Sequence, residues 1–456
     1  MRLSELAVIT GGSLRGLDLE FRGAGIDSRT LRQGQLFVAL PGSRCDGHDF
    51  LAQAYAQGAA AALVERFVDC PLPQVCVAEA RRALGQVAAA WRELSPVRLV
   101  GVTGSNGKTT AKEMIAAVLG QDGAVLKTRG NLNNDLGVPL TLLELEAGQR
   151  YGVVEMGANH PGEIAYVARL ARPQVGVITN AGAAHLEGFG SREGVARAKG
   201  ELIEALPPDG VAVLNADDHF FPLWRQSAGE RAVISFGFGD QAAVSGIAES
   251  LRLECDAQGF RTCFEFDLGG RRHGAGIRLA GRHNVANALA AIAAGTALGL
   301  GVDRTIEGLA TVQPVAGRMQ PARAQAGALV INDSYNANPT SFRAALDVLL
   351  QLPGEPWVAL GALGELGETS PALHAELGRQ AKAMGVRRLF ATGPDAERSV
   401  ESFGEGAHYF ADQAELIGQL QRELREDVVV LVKGSRAQRM ERVVEALCTR
   451  ERMACC

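Results

Sequence analysis

The chain has no apolar run near the ~20 residues that a bilayer-spanning helix needs. Its opening, MRLSELAVITGG, has neither the basic start nor the long apolar stretch of a signal peptide. It has no basic tract, and the net charge is −5, so nothing points to nucleic acid or to an anionic membrane surface. The eight cysteines are scattered and include no Cys-x2-Cys pair, and reduced thiols in a cytoplasmic protein are the economical reading. No long apolar helix suggests a subunit interface, so a monomer is expected.

What is present is glycine, 55 residues of it, in a chain that is 47% hydrophobic and 21% charged. That balance is the one of a soluble globular protein, and the glycines suit an α/β enzyme rich in tight strand–helix turns. At 456 residues the chain is long for one core, and a length over about 150 per domain suggests roughly three.

Residues 97–110 read VRLVGVTGSNGKTT. An apolar run (Val97, Leu99, Val100, Val102) enters a Gly-rich turn, and Lys108-Thr109-Thr110 opens a helix. Strand, Gly-rich turn and helix in this order give a phosphate loop its meaning. Gly104 and Gly107, with Ser105 and Asn106 between them, let backbone N–H groups approach a polyphosphate at the positive end of a helix. Lys108 would reach the terminal phosphates, and the Thr109 hydroxyl would bind Mg²⁺. The Gly-x2-Gly-Lys-Thr spacing is shorter than the general Gly-x4-Gly-Lys-Ser/Thr pattern. The bland alternative is a structural strand-to-helix turn.

Beyond the loop, strands are expected at about residues 124–127, 151–155, 175–179, 211–214 and 232–236, with helices between them, as in a parallel sheet with crossovers. Ligands of such sheets collect at the strands' carboxyl ends. Glu155 ends the strand YGVVE and is either a second Mg²⁺ ligand opposite the phosphate loop or a capping glutamate. His185 lies in a Gly/Ala loop after VGVIT and is either a metal ligand or surface polarity. In a helix expected over residues 192–206, Val195, Lys199, Leu202 and Leu206 fall on one face. Lys199 therefore interrupts the inward side. Either it snorkels to solvent, or it is a desolvated amine that adds CO₂ to become a carbamate ligand for Mg²⁺. Residues 242–280 alternate polar and apolar residues, which suggests antiparallel strands turning at Gly259. In GRHNVANALAAIAAGTALGL, His283, Asn284 and Asn287 crowd the first turn of a helix, either to read a purine edge or phosphate or to cap it.

Residues 1–95 carry two polar clusters, Asp27-Ser28-Arg29-Thr30 and Asp46-Gly47-His48-Asp49. Spacing leaves open whether the first is a solvated turn or an anion-recognition site built on Arg29. From Gln313-Pro314 onward strands and helices alternate again, without a second Gly-Lys-Thr loop, and a final helix is expected from about Ala437. Asp333 follows LVIN, Asn336 follows it, and Lys433-Gly434-Ser435-Arg436 follow VVVLV. Arg318 sits in the connection, placed to swing over a γ-phosphate. Together these suggest a mobile lid.

On these residues the chain resembles the Mur ligases over essentially its whole length. The resemblance rests on TGSNGKTT, on Glu155 through His185 to Lys199 with LNADD at 214–218, and on GRHNVANALAA followed by Gly317-Arg318. It implies an α/β protein of three domains: a small uridine-nucleotide-binding domain (1–95), a central P-loop ATPase domain with a parallel sheet (96–312), and a Rossmann-like C-terminal domain that acts as lid and binds a dipeptide (313–456). TRGNLNNDLGVPLTLL, VEMGANHPGEI, HLEGFGS and NDSYNANPTSFRAAL make it most similar to the members that join D-alanyl-D-alanine to UDP-N-acetylmuramoyl-tripeptide. The implied reaction is an ATP-dependent amide ligation through an acyl phosphate, in peptidoglycan precursor synthesis. The resemblance further implies two Mg²⁺ ions, one on Thr109 and Glu155, the other on His185 and carbamylated Lys199. Arg318 would meet the γ-phosphate, Asp333 the ribose, and Asn284 and Asn287 the adenine region. Ser28, Arg29 and Thr30, with Asp46 and His48, would meet the uridine end. Asn133, Asn134, Asn336, Lys433 and Ser435 would meet the reacting peptides. The rival ligase, which adds a diamino acid to the dipeptide, carries an Asp-Asn-Pro-Arg motif, whereas here Asn338-Pro339 is followed by Thr340. Folylpolyglutamate synthase lacks the N-terminal uridine-nucleotide domain. A catalytically inactive nucleotide-binding scaffold is the reading from another class.

Overall fold

Short apolar runs ending in glycine-rich turns build three separate sheets in the computed structural model, which describes residues 1–43, 45–182, 186–256 and 259–448. The first holds five short strands, Ser13–Arg15, Ala24–Gly25, Leu36–Val38, Ala61–Val64 and Gln74–Cys76, with only Ser13–Arg15 antiparallel to its neighbour. The helix Ala80–Glu93 follows, and its apolar side (Leu84, Val87, Ala88) joins one continuous core with Leu99 of the second sheet and Val138 of the helix Gly137–Leu142.

The second sheet has nine strands. At its heart Arg98–Thr103 (β1) runs parallel to Tyr151–Glu155 (β2) on one side and to Val175–Ile178 (β3) on the other. β2 and β3 are buried throughout, the near-continuous apolar run that a sheet covered on both faces requires. Lys108–Leu119 (α1) and Arg282–Ala297 (α3) cover one face, and Arg192–Glu204 (α2) the other. Past Ala232–Gly237 the sheet continues through Val244–Asp256, Gly259–Leu268 and Arg271–Ile277, paired antiparallel as their alternating pattern implies.

In the third sheet Leu329–Asp333 (β4) and Val428–Lys433 (β5) are parallel neighbours, and β5 also pairs with Glu355–Gly361. The helix Pro339–Leu349 (α4) follows β4. The alternation expected after Gln313-Pro314 contains a strand and a helix that its apolar runs do not mark, and the expected start of the final helix needs correction. Between Ala396–Phe403 and β5 lie a further edge strand, Ala407–Phe410, and a helix, Gln413–Glu423. The final helix is Glu441–Leu447 rather than one starting near Ala437, because Arg436–Gln438 form a 3-10 turn and Arg439 takes a left-handed backbone, φ 49°. Among the described residues no helix is long and apolar enough to cross a membrane.

Candidate active site

β1 is the switch point of the second sheet, because the chain runs from β1 out to Val125–Lys127 beyond β2, returns through β2, and then crosses to β3 on the other side of β1. The crevice outside the carboxyl ends of such strands is where an α/β sheet holds its ligand. Here the turn after β1 is the phosphate loop. Gly107 has φ +82° and is the N-cap of α1; Gly104 has φ +145°, and a Cβ there would run into Thr179 Oγ1. Asn180, just past β3, holds the loop from below. Its Oδ1 accepts from Asn106 N–H at 2.9 Å, and its Nδ2 donates to Asn106 O at 3.0 Å. The Thr179 hydroxyl donates to Asn106 O at 2.6 Å.

Lys108 Nζ folds back onto Gly104 O (2.6 Å) and Ser105 O (3.3 Å). Desolvation, helped by the Arg318 cation and opposed by Glu155, pulls its pKa below the usual lysine value. Glu155, at the end of β2, is 2% exposed. Its Oε1 accepts from Asn133 Nδ2 at 2.8 Å, while its Oε2 is buried without a hydrogen-bond partner. An ionised oxygen left in that state costs several kcal/mol, roughly 1–3 or more, unless a cation completes it. The protein supplies one partly, through Lys112 Nζ at 3.9 Å. Lys112 is itself buried, with its ammonium on Thr128 O at 2.7 Å and Glu113 at 3.1 Å. Among the described residues no three His, Cys, Asp or Glu side chains converge. A cation here would draw on one carboxylate, the Thr109 hydroxyl and the ligand's own phosphates, a donor set that suits Mg²⁺.

The third sheet closes the crevice from above. Arg318 Nη2 donates to Thr109 Oγ1 at 3.1 Å, its guanidinium lies 4.3 Å from the Tyr335 ring, and its Nε is buried without a partner. At the ends of β4 and β5, Lys433 Nζ bonds Asp333 Oδ2 at 2.5 Å and Asn336 O at 3.0 Å. Ser435 Oγ donates to Ala362 O. From α3, Asn284 donates to Ala280 O and Asn287 donates to Asn284 Oδ1, with Gly281 as the N-cap. Burial pushes the neighbouring His283 pKa down.

One cleft of about 510 Å³ is lined by Ser105 to Thr110, Asn133, Asn134, Glu155, Asn284, Asn287, Arg318, Asp333, Asn336, Lys433 and Ser435. Gly104, the first residue of the loop, is not in the cleft lining. Lys199 is not in the cleft lining; it is 1% exposed, so it does not snorkel, and its ammonium sits 5.4 Å from the Phe189 ring. Desolvation, then the Lys108 cation, lowers its pKa to about 7. His185 lies outside the described residues.

The N-terminal candidates do not line this cleft. Arg29 is largely exposed and forks onto Asp27, Ser28 Oγ donates to Gln53, and Thr30 Oγ1 reaches Asp27 O. His48 is buried, with Nδ1 on Asp46 at 2.6 Å and Nε2 accepting from Glu65 N–H; Asp46 also takes Arg66. These bonds hold the Asp46 carboxyl well below its usual range. Sequence reasoning passed over Lys112, Asn180 and Asn338. Lys112 had a signal, since it stands one helical turn after Lys108 on α1. Asn180 had one too, its place just past the carboxyl end of β3, whereas the contact of Asn338 with the loop had none until the units met.

The chain is similar to known proteins along its length. Residues 20–98 match the Mur ligase family catalytic domain, 102–295 the Mur ligase middle domain, and 317–436 the Mur ligase glutamate ligase domain. A UDP-N-acetylmuramoyl-tripeptide–D-alanyl-D-alanine ligase from Escherichia coli is 43% identical over 447 residues, 98% of each chain. A solved MurF from Acinetobacter baumannii superposes with a TM-score of 0.88 at 37% identity, covering 97% of this chain and 98% of that one. MurF from Thermotoga maritima, solved with ADP, gives a TM-score of 0.81 at 31% identity over 93% and 97% of the two chains.

Proposed function

The chain belongs to the Mur ligase family, and from that premise we infer that it is the ATP-dependent ligase that joins D-alanyl-D-alanine to UDP-N-acetylmuramoyl-tripeptide. The observation that carries this reading is the cleft itself. It sets the phosphate-loop lysine and a carboxylate with one unbonded oxygen opposite Arg318, Asp333 and Lys433 of another sheet.

The γ-phosphate passes to the tripeptide's terminal carboxylate, giving an acyl phosphate. The amine of D-alanyl-D-alanine attacks the acyl carbon, and the tetrahedral intermediate expels phosphate as the amide forms. Two anions must meet in this reaction, so charge neutralisation counts for more than acid–base power. Loop N–H groups and the N-terminus of α1 hold the phosphates; Lys108 turns from the loop carbonyls to the transferring group, and Arg318 covers it from the other side. Mg²⁺ supplies charge neutralisation between nucleotide and carboxylate when bound, one ion on Thr109 and Glu155 and a second on His185 and Lys199. A lysine with a pKa of about 7 holds much of its amine neutral at neutral pH. Such an amine adds CO₂ and releases a proton to become the anionic carbamate. Asp333 takes the ribose, and Asn284 and Asn287 the adenine region. Asn133, Asn134, Asn336, Lys433 and Ser435 serve the peptides, and Ser28, Arg29, Thr30, Asp46 and His48 the uridine diphosphate. Residues 1–95, 96–312 and 313–456 act as three domains of a cytoplasmic monomer.

The test is phosphate release from MgATP with UDP-muramoyl-tripeptide, with and without D-alanyl-D-alanine. Release that needs both, with a UDP-muramoyl-pentapeptide by mass, is the expected result. Turnover only with the UDP-dipeptide and a diamino acid would move the chain to the sister activity, and silence with both would leave a scaffold. Lys108→Ala retaining full activity would overturn the site.

A further inference from the structure

Asn106 and Asn338 stand 232 residues apart, one in the phosphate loop and one capping α4 of the third unit, yet their amides meet. Asn338 Nδ2 donates to Asn106 Oδ1 at 2.7 Å, and Asn106 Nδ2 lies 3.5 Å from Asn338 Oδ1. Both partners are held in place before they touch. Asn338 Oδ1 accepts the Ser341 N–H at 2.9 Å as the N-cap, and Pro339 fixes the first helical residue, so the Asn338 NH₂ group is left aimed at the loop. Asn106 is gripped through its backbone by Thr179 and Asn180. The Asn338 amide is preset and the Asn106 backbone is fixed, so the bond costs rotamer freedom only at the Asn106 side chain. The seam is close-packed here as well, since a Cβ added at Gly182 would meet Thr340 Oγ1 at 3.1 Å.

Among the described residues, the other hydrogen bond from the third unit to the loop region joins Arg318 and Thr109, two side chains that nucleotide and metal will claim. The amide pair asks nothing of the phosphates. We propose that Asn106 and Asn338 are a positioning pair that sets the third unit on the loaded phosphate loop, aligning the dipeptide's amine with the acyl phosphate. This rests on the ligase reading above. Because the pair aligns units, removing its Asn338 amide lowers kcat and leaves ADP affinity in place.

The experiment is a double-mutant cycle in the full chain with Asn338→Ser, Asn106→Ala and both. Serine caps a helix about as well as asparagine, so Asn338→Ser removes the amide donor and keeps α4. Each single variant is expected to lower kcat about three- to tenfold, the range for one hydrogen bond. The double variant should fall no further than the weaker single, with Tm unchanged and, for Asn338→Ser, calorimetric ADP affinity unchanged as well. Losses that multiply, or an Asn338→Ser enzyme as fast as wild type, would overturn the proposal. Small-angle scattering with a non-hydrolysable ATP analogue and UDP-tripeptide reads the pair without turnover. If wild type fails to ligate, the ligase reading falls and this readout alone decides. A larger radius of gyration for both single variants than for wild type upholds the pair, and an equal radius ends it.

Discussion

Asn133 spends its side-chain amide on one oxygen of Glu155, at 2.8 Å, and leaves the other oxygen of that buried carboxylate without a donor. The amide fixes the carboxylate's rotation, so the unbonded oxygen has a set direction, and Lys112 stands 3.9 Å from it as a partial counter-charge. Such an arrangement suits a cation that comes and goes with the nucleotide.

Glu155→Gln should therefore cost catalysis more than folding. The amide replaces a charge with a neutral group of the same shape, and Lys112 keeps Glu113 and Thr128 as partners. Turnover should fall on the order of 10²-fold, and the Mg²⁺ concentration for half-maximal rate should rise. A magnesium titration of phosphate release at saturating ATP checks both.

Gly107→Ala should abolish tight nucleotide binding without unfolding the chain. The residue sits at φ +82°, where a side chain costs roughly 1–2 kcal/mol, and the new methyl would strike Asn287 Oδ1. Calorimetric ADP titration should show at least about a tenfold weaker Kd.

Lys199 makes stability depend on pH. Its pKa is about 7 in the fold and near the ordinary 10.5 when unfolded. Between those values the unfolded chain holds a proton that the folded chain lacks, so stability rises with pH across that window. The burial penalty is full below about 7 and gone above about 10.5. In bicarbonate-free buffer Lys199→Met should raise Tm by roughly 3–6 °C at pH 7, with the gain shrinking toward pH 10. A gain independent of pH would mean the lysine is not the titrating group.

Arg29→Ala should separate the two nucleotide ends of the reaction. Arg29 is exposed and lies outside the cleft, so ADP affinity should hold while KM for the UDP-linked substrate rises about tenfold. Equal effects on both would place Arg29 elsewhere in the mechanism.

The sequence made the phosphate loop and Glu155 legible because their context is local: a strand, a turn and a helix within fourteen residues, or a carboxylate ending an apolar strand. Lys199 was legible by helical period, and its 1% exposure follows from sharing a face with Val195 and Leu202. Asn106 meeting Asn338 was not, since nothing local records a contact across 232 residues. The strand Ala407–Phe410 escaped because it is a short edge strand whose burial does not alternate cleanly. The late start of the last helix turns on one left-handed arginine, a conformation with no compositional signature.

β5 is the latest strand of the described chain, yet it lies inside its sheet, between β4 and Glu355–Gly361. During synthesis the first two sheets are complete in the emerged chain well before it appears, while the third waits with two inner edges unpaired. Lys433, at the end of β5, is thus among the last groups to reach the cleft, a hundred residues after the Asp333 it binds. The ligand pocket is finished only once β5 has emerged, and a chain cut short before residue 428 would carry a nucleotide loop beside an open, adhesive sheet.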